Sequence, residues 1–158
     1  MTAGAEPPDP DALDVDGVLL ASEERPISKE AIATAVRIAK HSGAPVHVLT
    51  IARIWGTSFG FPNPGLYPSK GEWDKQRAIV DETVRALERA GVEADGHVIG
   101  ARNATKRIVR EAARLRCGAI VMAADAPRGR FVGNFMWSQE PQRVRRRADV
   151  PVYLVTGS

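Results

Sequence analysis

The chain has 158 residues, of which 44% are hydrophobic and 26% charged, and a formal net charge of +3. That is the size and balance of one globular domain with a sizeable core, and no apolar run approaches the roughly 20 residues that a membrane-spanning helix needs. The start lacks the basic and apolar stretches of a secretion signal, and the single cysteine, Cys117, has no internal partner, so the expectation is a cytoplasmic protein without disulfides.

The net charge conceals an asymmetry. Residues 1–16 carry five acids (Glu6, Asp9, Asp11, Asp14, Asp16) and no base, whereas residues 101–158 carry twelve bases and four acids. The acidic, proline-bearing start reads as a mostly disordered tail, and residues 17–158 as the folded domain. The basic half suits an anionic partner, or solvated helix faces that the tail partly neutralises.

In chain order, GVLLAS (Gly17 to Ser22) is a short apolar run suited to a buried strand. Ser28 then caps a helix whose apolar face is Ala31, Ile32, Ala35, Val36 and Ala39, with Gly43 as its C-cap. VHVLTIARI (Val46 to Ile54) is the second strand. Residues 55–73, rich in glycine, proline and aromatics and without period, read as a long loop. A long helix spans about Gly71 to Ala90, with Trp73, Val80, Val84 and Leu87 near one face, and Gly91 stops it. VEADGHVI (Val92 to Ile99) alternates and holds a glycine, which places it towards a sheet edge. Asn103 caps a third helix through Leu115, with Ile108, Ala112 and Leu115 turned inward. AIVMAA (Ala119 to Ala124) is a buried strand, a short helix spans about Gln139 to Ala148, and PVYLVT (Pro151 to Thr156) closes the chain's element order.

Strands that alternate with helices predict an α/β fold: a single doubly wound parallel five-stranded sheet, covered on both faces. Ligands of such folds bind at the carboxyl ends of the strands where the winding reverses, so the expected lips of a pocket are Ser22 to Arg25 and Asp125 onward.

The pieces VLLASEERPISKEAIATAVRIA, APVHVLTIA, CGAIVMAA and RVRRRADVPVYLV, in that order and spacing, resemble the universal stress protein family over residues 17–156. The resemblance implies a flavodoxin-like, adenine-nucleotide alpha hydrolase-like sheet in the order 3-2-1-4-5, a common dimeric state, and a family divided between members that bind ATP and members that do not. In the nucleotide-binding branch a glycine, two residues, a glycine, nine residues, then glycine with serine or threonine hold the phosphates. Those positions fall here on Asp125, Arg128, Ser138 and Gln139, and the family's adenine-side aspartate and following glycine fall on Glu23 and Glu24. With one residue deleted from the loop, Gly129 and Gly133 approach the expected turn and Ser138 takes the hydroxyl position.

Bare glycine lets backbone N–H groups approach an anion. Arg128 and Arg130 substitute cations for that freedom, Asp125, Glu23 and Glu24 repel phosphate, and the helix start near Ser138 still offers N–H groups and a positive dipole end. Candidate ligand-binding residues are therefore Ser22, Glu23, Thr50, Asp125, Arg128, Gly129, Arg130, Gly133, Ser138 and Gln139. No catalytic constellation appears, and His41, His47, His97 and Cys117 lack metal-ligand spacing. Cys117 reads as a small core residue.

Two further features stand apart. Arg143, Arg146 and Arg147 share a helix face while Arg145 points elsewhere; the plain reading is a solvated surface or salt bridges to a dimer mate or the acidic tail, and no aromatics interleave to make a nucleic-acid platform. The loop holds five of the nine aromatics, Trp55, Phe59, Phe61, Tyr67 and Trp73, which suits a protein partner, a lid over the pocket, or packing against the loop's own helix.

The expected function is a regulatory or ligand-binding protein that is not an enzyme, lacks ordinary ATP binding, holds no cofactor, and dimerises through the edge of the last strand at Val152, Tyr153, Leu154 and Val155. The alternatives are a member that binds ATP or another adenine nucleotide, with slow hydrolysis, and an adaptor docking through the aromatic loop.

Overall fold

The computed structural model describes residues 6–54, 68–124 and 140–156. Five strands run β1 (Val18–Glu23), β2 (Val46–Arg53), β3 (Ala94–Ala101), β4 (Ala119–Ala124) and β5 (Val152–Thr156); four helices alternate with them, α1 (Lys29–Ser42), α2 (Lys70–Arg89), α3 (Ala104–Arg114) and α4 (Glu140–Arg147). All pairings are parallel, in the order β3-β2-β1-β4-β5. The α/β class, the strand order and the edge position of the glycine-bearing strand agree with the sequence reading.

The helix ends follow from local chemistry. Ser28 Oγ accepts from the Ala31 N–H at 3.1 Å, and Gly43, at φ +66°, ends α1 in the left-handed conformation that glycine adopts without strain. Ser69 Oγ accepts from the Glu72 N–H at 3.1 Å, which starts α2 just ahead of the expected Gly71. Asn103 Oδ1 accepts from the Lys106 N–H at 3.0 Å and caps α3.

Strict alternation along the strands makes two cores. Val18, Leu20, Val46, Val48 and Val121 face α1 and α2; Leu19, Leu49, Ile51, Ile120 and Met122 face α3 and α4. Each fully buried Leu or Ile contributes about 1.5–3 kcal/mol. β3 begins two residues later than expected: Gly91, at φ +85°, and a Val92 N–H to Leu87 carbonyl bond of 3.1 Å extend the helix-terminating turn. Within β3 the close approach of α2 and β2 requires glycine at 96, where an added Cβ would lie 2.7 Å from Val80 Cγ1 and 2.8 Å from the Val48 carbonyl oxygen.

Residues 6–16, read as disordered, lie against the domain. Pro10–Ala12 form a 3-10 turn. Arg37 donates to Asp11 Oδ2 at 2.7 Å, Ser42 Oγ bridges the Val15 N–H and the Leu13 carbonyl at 2.9 and 3.0 Å, and Tyr153 Oη donates to the Pro8 carbonyl at 2.7 Å. Leu13 and Val15 pack on the α1-side core. Composition alone signalled disorder, whereas these two apolar side chains among the acids supply the burial that orders the segment.

Candidate functional site

The carboxyl ends of β1 and β2 bring Ser22, Glu23 and Thr50 together. Ser22 stands in register with Thr50 and Glu23 with Ile51, so Ser22 and Thr50 share the α1/α2 face while Glu23 points to the opposite one. Ser22 Oγ donates to the Arg25 carbonyl at 2.7 Å and closes the turn. Glu24 takes φ +58°, a conformation that favours glycine, and its N–H donates to the Ile51 carbonyl at 3.2 Å.

The two glutamates converge on one arginine. Arg53 Nη1 donates to Glu23 Oε1 at 2.6 Å, and the Arg53 backbone N–H donates to Glu24 Oε1 at 2.9 Å. The Glu23 side chain is 7% exposed and that of Arg53 30%. Thr50 is fully buried and its Oγ1 has no hydrogen-bond partner among the described residues; an orphaned buried hydroxyl costs about 1–3 kcal/mol.

Beside this turn opens a cavity of about 310 Å³ lined by five arginines, Arg53, Arg102, Arg143, Arg146 and Arg147, with Asn103 and Thr105 at the start of α3. The shared, exposed face of Arg143, Arg146 and Arg147 agrees with the sequence reading of a solvated surface, and these side chains also wall a groove with Arg53 and Arg102. Arg145 lines a different cavity of about 320 Å³, with Glu6, Pro7 and Tyr153.

Asp125, Arg128, Gly129, Arg130, Gly133, Ser138 and Gln139 lie outside the described residues, as do Trp55, Phe59, Phe61 and Tyr67. Trp73 sits in the first turn of α2 with its ring over Gly100, where an added Cβ would meet Cη2 at 3.1 Å, so it packs within the chain rather than standing clear as an anchor.

Among the described residues no group of three His, Cys, Asp or Glu side chains gathers to hold a metal. His47 Nδ1 lies 2.7 Å from Asp95 Oδ1, and His97 Nε2 lies 3.7 Å from Glu111. Burial pushes the Cys117 thiol up to about 12, as suits an inert core residue. Glu111 is buried, and the Arg114 guanidinium, at 2.7 Å, holds its carboxyl below the usual value.

Sequence reasoning missed Arg53, Arg102 and Thr105 as neighbours of the arginine helix. The signal was present in the alternation of β2: Leu49, Ile51 and Arg53 fall on one face, and that face carries α3 and α4.

A parallel sheet in the order β3-β2-β1-β4-β5, with a polar turn and a basic groove at its carboxyl edge, defines a doubly wound α/β domain. The sequence matches the universal stress protein family over residues 16–156, and the chain belongs to that family. No curated protein matches it. A universal stress protein in complex with cAMP is 18% identical and superposes with a TM-score of 0.66, covering 92% of this chain and 100% of that one. The universal stress protein from Archaeoglobus fulgidus in complex with dAMP is 16% identical, with a TM-score of 0.65 and coverage of 89% and 96%. A family protein from Arabidopsis thaliana with AMP bound is 16% identical, with a TM-score of 0.56 and coverage of 90% and 92%. At these identities the likeness shows the fold.

Proposed function

We propose that this universal stress protein is a non-enzymatic, cytoplasmic regulatory protein that binds a ligand other than ATP and acts as a homodimer. The observation that carries this reading is the pairing of Glu23 with Arg53. At the position of the family's adenine-side acid stands a longer carboxylate already held by a guanidinium, and the next residue, in the family's glycine place, is a second carboxylate bound to the Arg53 N–H. Glu24 therefore brings a negative charge to the lip, where a triphosphate would meet repulsion of about 4 kcal/mol per charge pair at 4 Å and an effective dielectric of about 20. The same repulsion extends to Asp125, which stands in the first glycine place of the phosphate motif.

Dimerisation through β5 rests on its place as an outer strand of the sheet. Val152 and Tyr153 are buried in the chain's own core, which leaves the strand backbone and the half-buried Leu154 and Val155 for a second copy. Native mass spectrometry tests both points: a doubled mass without retained ATP supports the reading, and a monomer carrying ATP opposes it.

A second reading, an adenine-nucleotide binder using Gly129, Gly133 and Ser138, is favoured by two observations. Three structural relatives are described with cAMP, dAMP or AMP, and the buried Thr50 hydroxyl beside the turn has no hydrogen-bond partner among the described residues. Calorimetry with ATP and magnesium separates the two, since micromolar ATP binding at the strand ends belongs only to the second.

A further inference from the structure

We propose that the groove between α3 and α4 is a binding site for a small ligand bearing a chain of two or more adjacent phosphate groups. This site adjoins the strand-end turn through Arg53 and goes beyond the function proposed above. Three observations carry it.

The first is convergence. Five guanidinium groups come from four places in the chain: Arg53 at the end of β2, Arg102 in the turn after β3, Arg143 early in α4, and Arg146 and Arg147 in its last turn. Cations at a helix C-terminus are often explained by the helix dipole, and that accounts for Arg146 and Arg147. It does not account for Arg102 or Arg53, which belong to other elements and close the opposite wall.

The second is charge. Among the described residues no carboxylate lines the cavity. Glu23 compensates Arg53 from outside the lining, but Arg102, Arg146 and Arg147 make no ion pair among the described residues. Like charges gathered in a concavity destabilise the empty chain and favour an anion that bridges them. Guanidinium forks match phosphate oxygens in a bidentate way, and the start of α3, with Asn103 and Thr105 in the wall, adds a positive dipole end and polar groups.

The third is shape. About 310 Å³ is at the small end of ligand pockets, which run from roughly 300 to 1,000 Å³. That is room for a phosphate chain rather than a protein segment. Among the described residues the lining holds no aromatic side chain, so the stacking platform of a single-stranded nucleic-acid groove is missing.

The test titrates the full chain calorimetrically with orthophosphate, pyrophosphate, tripolyphosphate and ATP, at low and at physiological salt. A labelled single-stranded oligonucleotide is followed by anisotropy. Variants are Arg102→Gln, the double Arg102→Gln/Arg146→Gln, and Arg110→Gln as an exposed arginine outside the groove. Arg102 is exposed and lies in a turn, so its replacement should leave the melting temperature unchanged.

Tripolyphosphate is expected to bind at least about tenfold more tightly than orthophosphate, to weaken with salt, and to lose about tenfold per groove arginine removed, with Arg110→Gln unchanged. ATP equal to tripolyphosphate identifies the chain alone as the recognised element; ATP binding more tightly identifies a nucleotide as its source. Both results support the site. Tripolyphosphate no tighter than orthophosphate, an equal loss in Arg110→Gln, or an oligonucleotide that binds more tightly than every small phosphate would overturn it. If ATP binding survives the double variant undiminished, the nucleotide sits at the strand ends. That outcome contradicts both the groove and the absence of an ATP cradle, whereas ATP binding lost in the double variant supports the groove and contradicts only the proposal of a ligand other than ATP.

Discussion

Arg53 Nη1 lies 2.6 Å from Glu23 Oε1, and this one pair joins the turn at the end of β1 to the wall of the basic groove. Replacing Glu23 by Gln leaves a partly buried guanidinium without its carboxylate. We expect a loss of about 1–3 kcal/mol in chemical denaturation. The same change removes one carboxylate contact from Arg53, so phosphate-chain binding should strengthen even as the fold weakens. Opposite signs in the two measurements separate this pairing from a purely structural ion pair.

Glu111 gives the molecule a pH dependence. Its pKa is held below the ordinary 4.5, first by the Arg114 hydrogen bond. A carboxylate with a depressed folded-state pKa contributes stability that is present above its unfolded value and is lost as pH falls through its folded value. The wild type should therefore lose stability on acidification below about pH 4.5 more steeply than Glu111→Gln. At neutral pH the variant should be weaker by about 1–2 kcal/mol, and the two denaturation curves should converge in acid.

Arg116 is exposed and takes φ +55° just after α3. Glycine adopts that conformation without the clash of a Cβ, so Arg116→Gly should raise stability by about 0.5–1 kcal/mol. The opposite change in tolerance is expected at Gly96, where Ala would collide with Val80 and the Val48 carbonyl and should cost about 1–3 kcal/mol. Thermal melts of both variants check the pair.

How legible these features were in the sequence depended on the range of the signal. The strands, the caps Ser28, Gly43 and Asn103, and the sheet order came from periodicity, cap chemistry and family resemblance, and those signals are local or ordered along the chain. The groove was legible only in part. The helical spacing of Arg143, Arg146 and Arg147 put them on one face, but Arg53 and Arg102 join them by the parallel stacking of β2, β3 and α4, which no local pattern records. Ordering of residues 6–16 was hidden for the same reason: Tyr153 reaches Pro8 across 145 residues.

That contact supports a further expectation. Tyr153 is buried, and its hydroxyl is held by the Pro8 carbonyl. Tyr153→Phe should cost about 1 kcal/mol and speed proteolysis within residues 6–16, while leaving the sheet intact. Slower or unchanged cleavage would mean that the Arg37 pairs with Asp9 and Asp11, the Ser42 bonds and the packing of Leu13 and Val15 hold the segment without the tyrosine hydroxyl.

The most direct measurement of the central claim is calorimetric titration of ATP with magnesium into the Arg102→Gln/Arg146→Gln variant, in which the basic groove is disabled and only the turn at Glu23 and Glu24 and residues 125–139 can answer. No micromolar binding is expected. A micromolar dissociation constant there would show a working nucleotide cradle at the strand ends and contradict it.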